Sequence, residues 1–392
     1  MLAICDSSTD SIGGKDMLEQ NLNSMSNVTV LRWGIISTGK IATVFVKDLL
    51  IDPRTRDVHD VVHKVVAVGS RKVETAQEFI SANAGGDVTI KAYGTYEEVY
   101  ADKDVDAIYI GTPHTYHYIN ALDAICAKKH VLCEKPVTSN VPELRALLAA
   151  AKENGVFFME AMWTRFQPLP QAVIKILDSG ELGAPVVVHA DLSGDFDIQN
   201  IPKTHRILDP ALGGGALLDL GPYPLVWAIM TLYENSLNEL TAPSNITGSI
   251  LKTPLTGVDA NTSFTLNFPK IGAQAVLSCS INTVATNPGV TIRCEKGTIR
   301  VAPPIYCSKS FKVEYFAEGN HGGKVAREEE KRFDYIGHGM HFEADEVARC
   351  IRNGKSESAL WGHGKSLLEM TVFDEVRKQG GYELPKGVEK VL

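Results

Sequence analysis

The chain has 392 residues, long for one compact domain and comfortable for two. Hydrophobic residues make up 44% and charged residues 22%, an ordinary globular mixture with material for large cores. The formal net charge of -8, from 39 basic and 47 acidic side chains, argues against nucleic acid or an anionic membrane as partner, while leaving room for a local basic pocket for one phosphate.

Residues 1–28 are polar, rich in Ser and Asn and aperiodic, and are expected to form a loose tail. Order is expected from there. VTVLRWGIIS (28–37) reads as a buried strand and IATVFVKDLL (41–50) as a helix with one apolar side. The alternation continues with strands at 61–70, 88–93, 106–113, 130–136 and 156–161, and helices at 74–85, 95–102, 114–129 and 141–155. Thr95 and Glu98 have the capping-box spacing at the start of one of these helices. Repeated strand–helix alternation predicts a mostly parallel sheet covered on both faces, with ligands at the carboxyl ends of its strands.

After residue 161 the texture changes. A helix is expected within 165–183, a strand at 185–193 and a glycine-rich approach to a helix at 213–233. Extended runs separated by Gly, Pro and Asn turns follow from 246 to 315 and predict a largely antiparallel sheet. GNHGGKVAREEEKR (319–332) reads as a charged loop, followed by helices at 339–353 and 364–379. No stretch of roughly 18 apolar residues is present, so no membrane span is expected. The beginning of the chain does not read as a secretion signal. The seven cysteines are scattered, without a CxxC pair, which suits reduced thiols in a cytoplasmic protein.

The first strand–turn–helix, GIISTGKIA (34–42), approximates the dinucleotide fingerprint G-x-G-x-x-G/A. Ser37 stands at the first glycine, while Gly39 and Ala42 match; a tight turn in an α/β domain without nucleotide is the alternative. The second strand ends in Val68, Gly69, Ser70, Arg71 and Lys72, with no acid to grip a ribose 2′-hydroxyl. A hydroxyl and two cations suit a 2′-phosphate, so NADP is the expected cofactor, gripped by Ser70 and Arg71 with Lys72 as a weaker contributor. A solvated Arg–Lys pair is the alternative. Thr112, His114 and His117 follow the fourth strand and are expected to pack on or hydrogen-bond the cofactor; no metal site is expected there.

Lys135, at the carboxyl end of the fifth strand, has a charge that can orient a substrate hydroxyl and favour a nearby alkoxide or phenolate. A surface Lys-Pro pair is the alternative. Asp219 and Tyr223 are four apart, so on a helix they share a face. Tyr223 is a candidate acid/base whose pKa Lys135 is expected to lower; a packed tyrosine on a capped helix is the alternative.

WGIISTGKIA (33–42), EKP (134–136), EAMWTRFQP (160–168), GGGALLDLGPYP (213–224) and GHGMHFEADEVARCIRNGK (337–355) together resemble the glucose–fructose oxidoreductase/inositol dehydrogenase family. The nearer likeness is to its branch of dimeric dihydrodiol dehydrogenases and fungal NADP-dependent D-xylose dehydrogenases. The resemblance implies an α/β Rossmann domain over 29–160 and an α+β domain with a large open, mostly antiparallel sheet over 161–392, which binds substrate and pairs homodimers through an exposed apolar sheet face. It implies Lys135, Tyr223 and Asp219 as catalytic residues, with Asp219 and Tyr223 also touching substrate. Cofactor contacts are implied for Ser37, Thr38, Gly39, Lys40, Ile41, Glu134, Trp163 and Arg165 as well as the residues above, and a substrate contact for Arg206. Tyr223 stands where many members have histidine, a departure shared with this branch. The implied activity is NADP-dependent oxidation of a cyclic sugar at C1, D-xylose to its lactone. Oxidation of a trans-dihydrodiol and reduction of dicarbonyls or anhydro-sugars are alternatives, as is a non-catalytic nucleotide-binding regulator.

Overall fold

A computed structural model describes residues 28–318 and 323–392; the expected tail, apart from Val28, lies outside the described residues. The first unit runs β1 (Thr29–Ile36), α1 (Lys40–Leu49), β2 (Val61–Gly69), α2 (Val73–Asn83), β3 (Lys91–Tyr93), α3 (Tyr96–Ala101), β4 (Ala107–Ile110), α4 (His117–Cys126), β5 (His130–Glu134), α5 (Val141–Asn154) and β6 (Phe158–Ala161). Its six strands are parallel, in the order β3-β2-β1-β4-β5-β6, so the strand order reverses between β1 and β4. Trp33, Ile35 and Ile36 of β1 are fully buried, and Phe45 of α1 stacks on Tyr109 of β4 with ring centroids 3.7 Å apart. The capping box of Thr95 and Glu98 forms as the spacing predicts. The third strand is shorter than expected: Asp87 accepts hydrogen bonds from the backbone and hydroxyl of Thr89, holding that residue in a turn.

The second unit begins with α6 (Pro168–Asp178) and β7 (Pro185–Ser193), then α7 (Ala216–Leu220) and α8 (Pro222–Ala228), which continues through a π-helical turn to Tyr233. The helical run Pro210–Tyr233 is long and apolar enough to cross a bilayer, but 94% of its most apolar stretch is buried inside the protein. It packs across the sheet completed by β8 (Asn245–Lys252), β9 (Asp259–Phe268), β10 (Ala273–Ser280), β11 (Val290–Cys294), β12 (Gly297–Val301), β13 (Ser310–Phe316) and β14 (Val325–Arg332). The order is β14-β13-β12-β11-β7-β10-β9-β8, antiparallel except for the parallel pair β7 and β10.

Two expectations change here. The charged stretch read as a loop contains β14, paired with β13 at the sheet edge. Its charges suit an edge strand exposed on both faces, and so hide the alternation that marks a half-buried strand. The open sheet face is polar, not apolar. Ser249, Ser263, Ser278 and Asp191 lie side by side across four strands, next to a row of Thr247, Thr265, Val276 and His189.

The last helices, α9 (His341–Arg352) and α10 (His363–Gln379), return to the first unit. Asp48 of α1 accepts the backbone N–H groups of His338, Gly339 and Met340 at 2.7–3.0 Å. Asp345 pairs with Arg56 at 2.7 Å and with His63 at 3.0 Å, all three side chains being almost fully buried. Glu160, in β6, accepts from Trp361 and Ser366. The boundary expected at 160/161 therefore separates the two sheets but not the packing, because the final segment completes the core of the first unit.

Candidate active site

The turn after β1 is built from Ser37 to Lys40. Ser37 has φ +89°, a left-handed conformation rare outside glycine, and its Oγ accepts the Gly39 N–H at 3.2 Å. The N-terminus of α1 beyond it, starting with Lys40 and Ile41, has neither a capping side chain nor an acid in its first turn. Such an end, with free N–H groups and a positive dipole terminus, fits a pyrophosphate. Thr38 Oγ1 lies 3.5 Å from Ser70 Oγ, joining this turn to the end of β2, where Arg71 and Lys72 are exposed and no carboxylate intervenes. The residues present thus fit a dinucleotide carrying a 2′-phosphate.

After β4, Thr112 Oγ1 accepts from Asn120. The ring nitrogens of His117 face the carbonyl oxygens of Thr112 and Pro136 at 2.9 and 2.8 Å. His114 Nε2 meets the carbonyl of Gly213, in the second unit, at 3.0 Å. Gly213 has φ +71°, and a Cβ there would fall 2.0 Å from His114 Nε2. Burial drives the pKa of His114 down to about 3, so it is neutral near pH 7. Burial also lowers that of His117, while its two carbonyl partners, which both require a donor, oppose the shift. His117, expected at the cofactor, has both ring nitrogens directed at backbone carbonyls and ties two loops together. Glu134 is expected at the cofactor as well. It is buried, accepts the Tyr109 hydroxyl at 2.7 Å, and burial lifts its pKa to about 7.

Lys135 directly follows β5, and its side chain reaches α7 and α8 of the second unit. Its Nζ donates to the Asp219 carbonyl oxygen at 2.6 Å, lies 3.6 Å from Asp219 Oδ1, and sits 4.7 Å from the centroid of the Tyr223 ring. The peptide bond to Pro136 is cis. Asp219 is presented by α7, whose first turn is held by buried Asp259: Oδ2 accepts Leu217 N at 2.7 Å and Thr262 Oγ1 at 2.8 Å. Gly221 continues the helical path, so Asp219 and Tyr223 do enter one pocket. Trp163 Nε1 donates to the Tyr223 hydroxyl at 2.9 Å. Arg206 NH1 lies 3.0 Å from Asp219 Oδ2.

Sequence reasoning missed Tyr306. Its ring lies 5.3 Å from Tyr223 and 5.6 Å from Trp163, centroid to centroid, and its carbonyl accepts from Thr164 and Gln167. The three rings form an aromatic wall. Its only sequence signal is the preceding Pro303–Pro304 turn, which says nothing about which loop it meets. Arg165, expected near the cofactor, pairs with partly buried Glu234 at 2.8 Å, which Lys365 also contacts. The Arg and Trp of one 3₁₀ turn point to opposite sides.

Electrostatics alter one expectation. Burial pushes the Tyr223 phenol well above its ordinary value and Glu134 adds to that, while the Trp163 hydrogen bond opposes it. The phenol is therefore protonated in the protein by itself, rather than acidified by Lys135. Burial also works against ionised Asp219, but Lys135, Arg206 and His114 together hold its carboxyl below the usual range. The site offers a neutral phenol, an ammonium and a carboxylate at the carboxyl edge of a parallel sheet.

Comparison with known proteins agrees with this architecture. Residues 31–162 match the model of an oxidoreductase family with an NAD-binding Rossmann fold, and residues 171–300 match the GFO/IDH/MocA C-terminal domain. The chain is 37% identical over 377 residues to D-xylose 1-dehydrogenase (NADP(+)) of Hypocrea jecorina, covering 92% of this chain and 94% of that protein. It is 35% identical over 358 residues to trans-1,2-dihydrobenzene-1,2-diol dehydrogenase of Bos taurus, covering 91% and 98%. Among solved structures, a 3-ketoreductase from Actinomadura kijaniata in complex with NADP and TDP-benzene shares the fold, with TM-score 0.73 and 22% identity over 89% of this chain and 98% of that one. With both its units matched by family models and such relatives aligned along nearly its whole length, the chain belongs to the GFO/IDH/MocA oxidoreductase family.

Proposed function

We propose that this protein oxidises a cyclic sugar at its anomeric carbon with NADP, D-xylose giving the lactone, and that Tyr223 and Lys135 handle the hydroxyl proton. The observation that carries the reading is the convergence of Lys135, Asp219 and Tyr223 beside the wall of Trp163, Tyr223 and Tyr306. An aromatic wall suits the flat C–H face of a pyranose, and the polar groups suit its hydroxyls. Ser70 and Arg71 grip the 2′-phosphate, and the open end of α1 receives the pyrophosphate. When bound, NADP supplies the hydride acceptor, or the donor in the reverse direction. For oxidation Tyr223 must first lose its own proton; as phenolate it then takes the proton of the reacting hydroxyl, while Lys135 holds the hydroxyl oxygen and Asp219 fixes Lys135. The related D-xylose and dihydrodiol dehydrogenases support the substrate class, a sugar or cyclic diol.

A protonated phenol favours one variation, reduction of a carbonyl compound, in which Tyr223 donates its proton to the developing alkoxide. Oxidation then accelerates as the pH rises and reduction slows.

The test is nicotinamide absorbance with NADP+ and NAD+ separately against D-xylose, D-glucose and a trans-dihydrodiol, and with NADPH against a dicarbonyl. Rapid NADP+ reduction by D-xylose, lowered roughly 100-fold or more in Tyr223→Phe, is the expected result. Turnover confined to the dihydrodiol moves the substrate class. NADP binding without turnover of any substrate in either direction favours a regulatory protein.

A further inference from the structure

Arg206, expected to touch substrate, is engaged elsewhere. Its guanidinium lies 3.0 Å from Asp219 Oδ2, while Oδ1 is 3.6 Å from Lys135 Nζ and the Asp219 carbonyl accepts that same Nζ at 2.6 Å. The side chains of Lys135 and Asp219 are 11% and 13% exposed, whereas that of Arg206 is 55% exposed. One enclosed carboxylate is thus shared between a catalytic cation just after β5 and a second, half-exposed cation on a loop of the second unit.

The charged and titratable groups around Asp219 are few. Lys135 and His114 approach from the nucleotide unit, with His114 neutral near pH 7. Tyr223 lies on the following helix and Cys279 on β10, and Asp219 disfavours ionisation of both. Among the described residues, Lys135 and Arg206 are the cations that keep this carboxylate ionised near pH 7, His114 adding to them only where it is itself protonated. Lys135 meets it only at 3.6 Å, its short hydrogen bond going to the carbonyl.

We propose that Arg206 is a positioning residue: it holds Asp219 ionised and in place by Oδ2, and through Asp219 keeps the Lys135 ammonium on the Asp219 carbonyl and over the Tyr223 ring. Arg206 itself makes no contact with the reacting atoms. The inference rests on the reading of Lys135 and Tyr223 as the proton-handling pair.

The experiment compares wild type, Arg206→Met and Arg206→Lys in two ways. The first, without cofactor, follows the Asp219 carboxyl carbon by ¹³C NMR across pH, with Asp219→Asn identifying the signal. The second measures the pH dependence of kcat and KM for D-xylose or whichever substrate turns over. In Arg206→Met the Asp219 midpoint is expected to move up by about one pH unit, and the acid limb of kcat to move with it. At neutral pH kcat falls roughly ten-fold with KM within about three-fold, the pattern of a lost contribution to the transition state. Arg206→Lys restores much of both shifts. A raised KM with kcat and its pH profile unchanged would make Arg206 a substrate contact and overturn the proposal, as would an unmoved Asp219 midpoint. If wild type turns over nothing, the functional reading fails, while the NMR titration still decides whether Arg206 holds Asp219.

Discussion

Ser37 occupies a conformation that costs a non-glycine residue about 1–3 kcal/mol, in the turn proposed to receive the cofactor's pyrophosphate. Its hydroxyl also takes the Gly39 N–H that a pyrophosphate would otherwise receive. Ser37→Gly relieves the strain but adds freedom to the unfolded chain, so stability is expected to change by no more than about 1 kcal/mol. NADPH binding, followed by its fluorescence, is expected to tighten as the Gly39 N–H is freed. Weaker binding would mean that the hydroxyl helps the cofactor rather than competing with it. Single residues also show what the sequence leaves unread. Lys135, Asp219 and Tyr223 sit in local patterns whose spacing carries meaning. Tyr306 and the Glu234 partner of Arg165 come from distant loops, and no periodicity joins them to Trp163 or Arg165.

At the scale of elements, the alternation of strand and helix along the first 130 or so ordered residues was legible because each element repeats its own period. The edge strand β14 was not, because an element exposed on both faces has no apolar rhythm. Nor was the return of α9 to α1, which depends on Asp48 and three backbone N–H groups almost 300 positions away. Burial alone would raise the Asp48 carboxyl, but His341 and the N–H groups of His338 and Met340 outweigh it and hold the pKa below the ordinary value. Because the folded-state pKa is depressed, this contribution is fully present above the unfolded pKa and is lost as pH falls through the folded one. Asp48→Asn is expected to cost about 2 kcal/mol near pH 7 in chemical denaturation. The gap between wild type and variant should narrow below about pH 4. A constant gap at every pH would assign the loss to shape rather than charge.

For the whole molecule, the open face of the large sheet remains to be covered. We propose that a second copy covers it. The rows of Ser, Thr, Asn and Asp across β8, β9, β10 and β7 suit a hydrogen-bonded, water-containing contact rather than a dry one. Ser263→Arg, at the exposed centre of this face, is expected to yield a monomer by analytical ultracentrifugation. Unchanged mass would place the contact elsewhere or show that none forms.

The two sheets occur one after the other along the chain, yet the core of the first is sealed by residues 338–377. On a ribosome, the nucleotide unit emerges early but cannot finish. Until the last helices arrive, the side of β1 and α1 that they will cover stays open, the side chains of Asp48 and Asp60 lack their partners, and Glu160 has only the Val137 N–H. The first unit is therefore expected to reach its final packing late in synthesis, once residues 338–377 are in place.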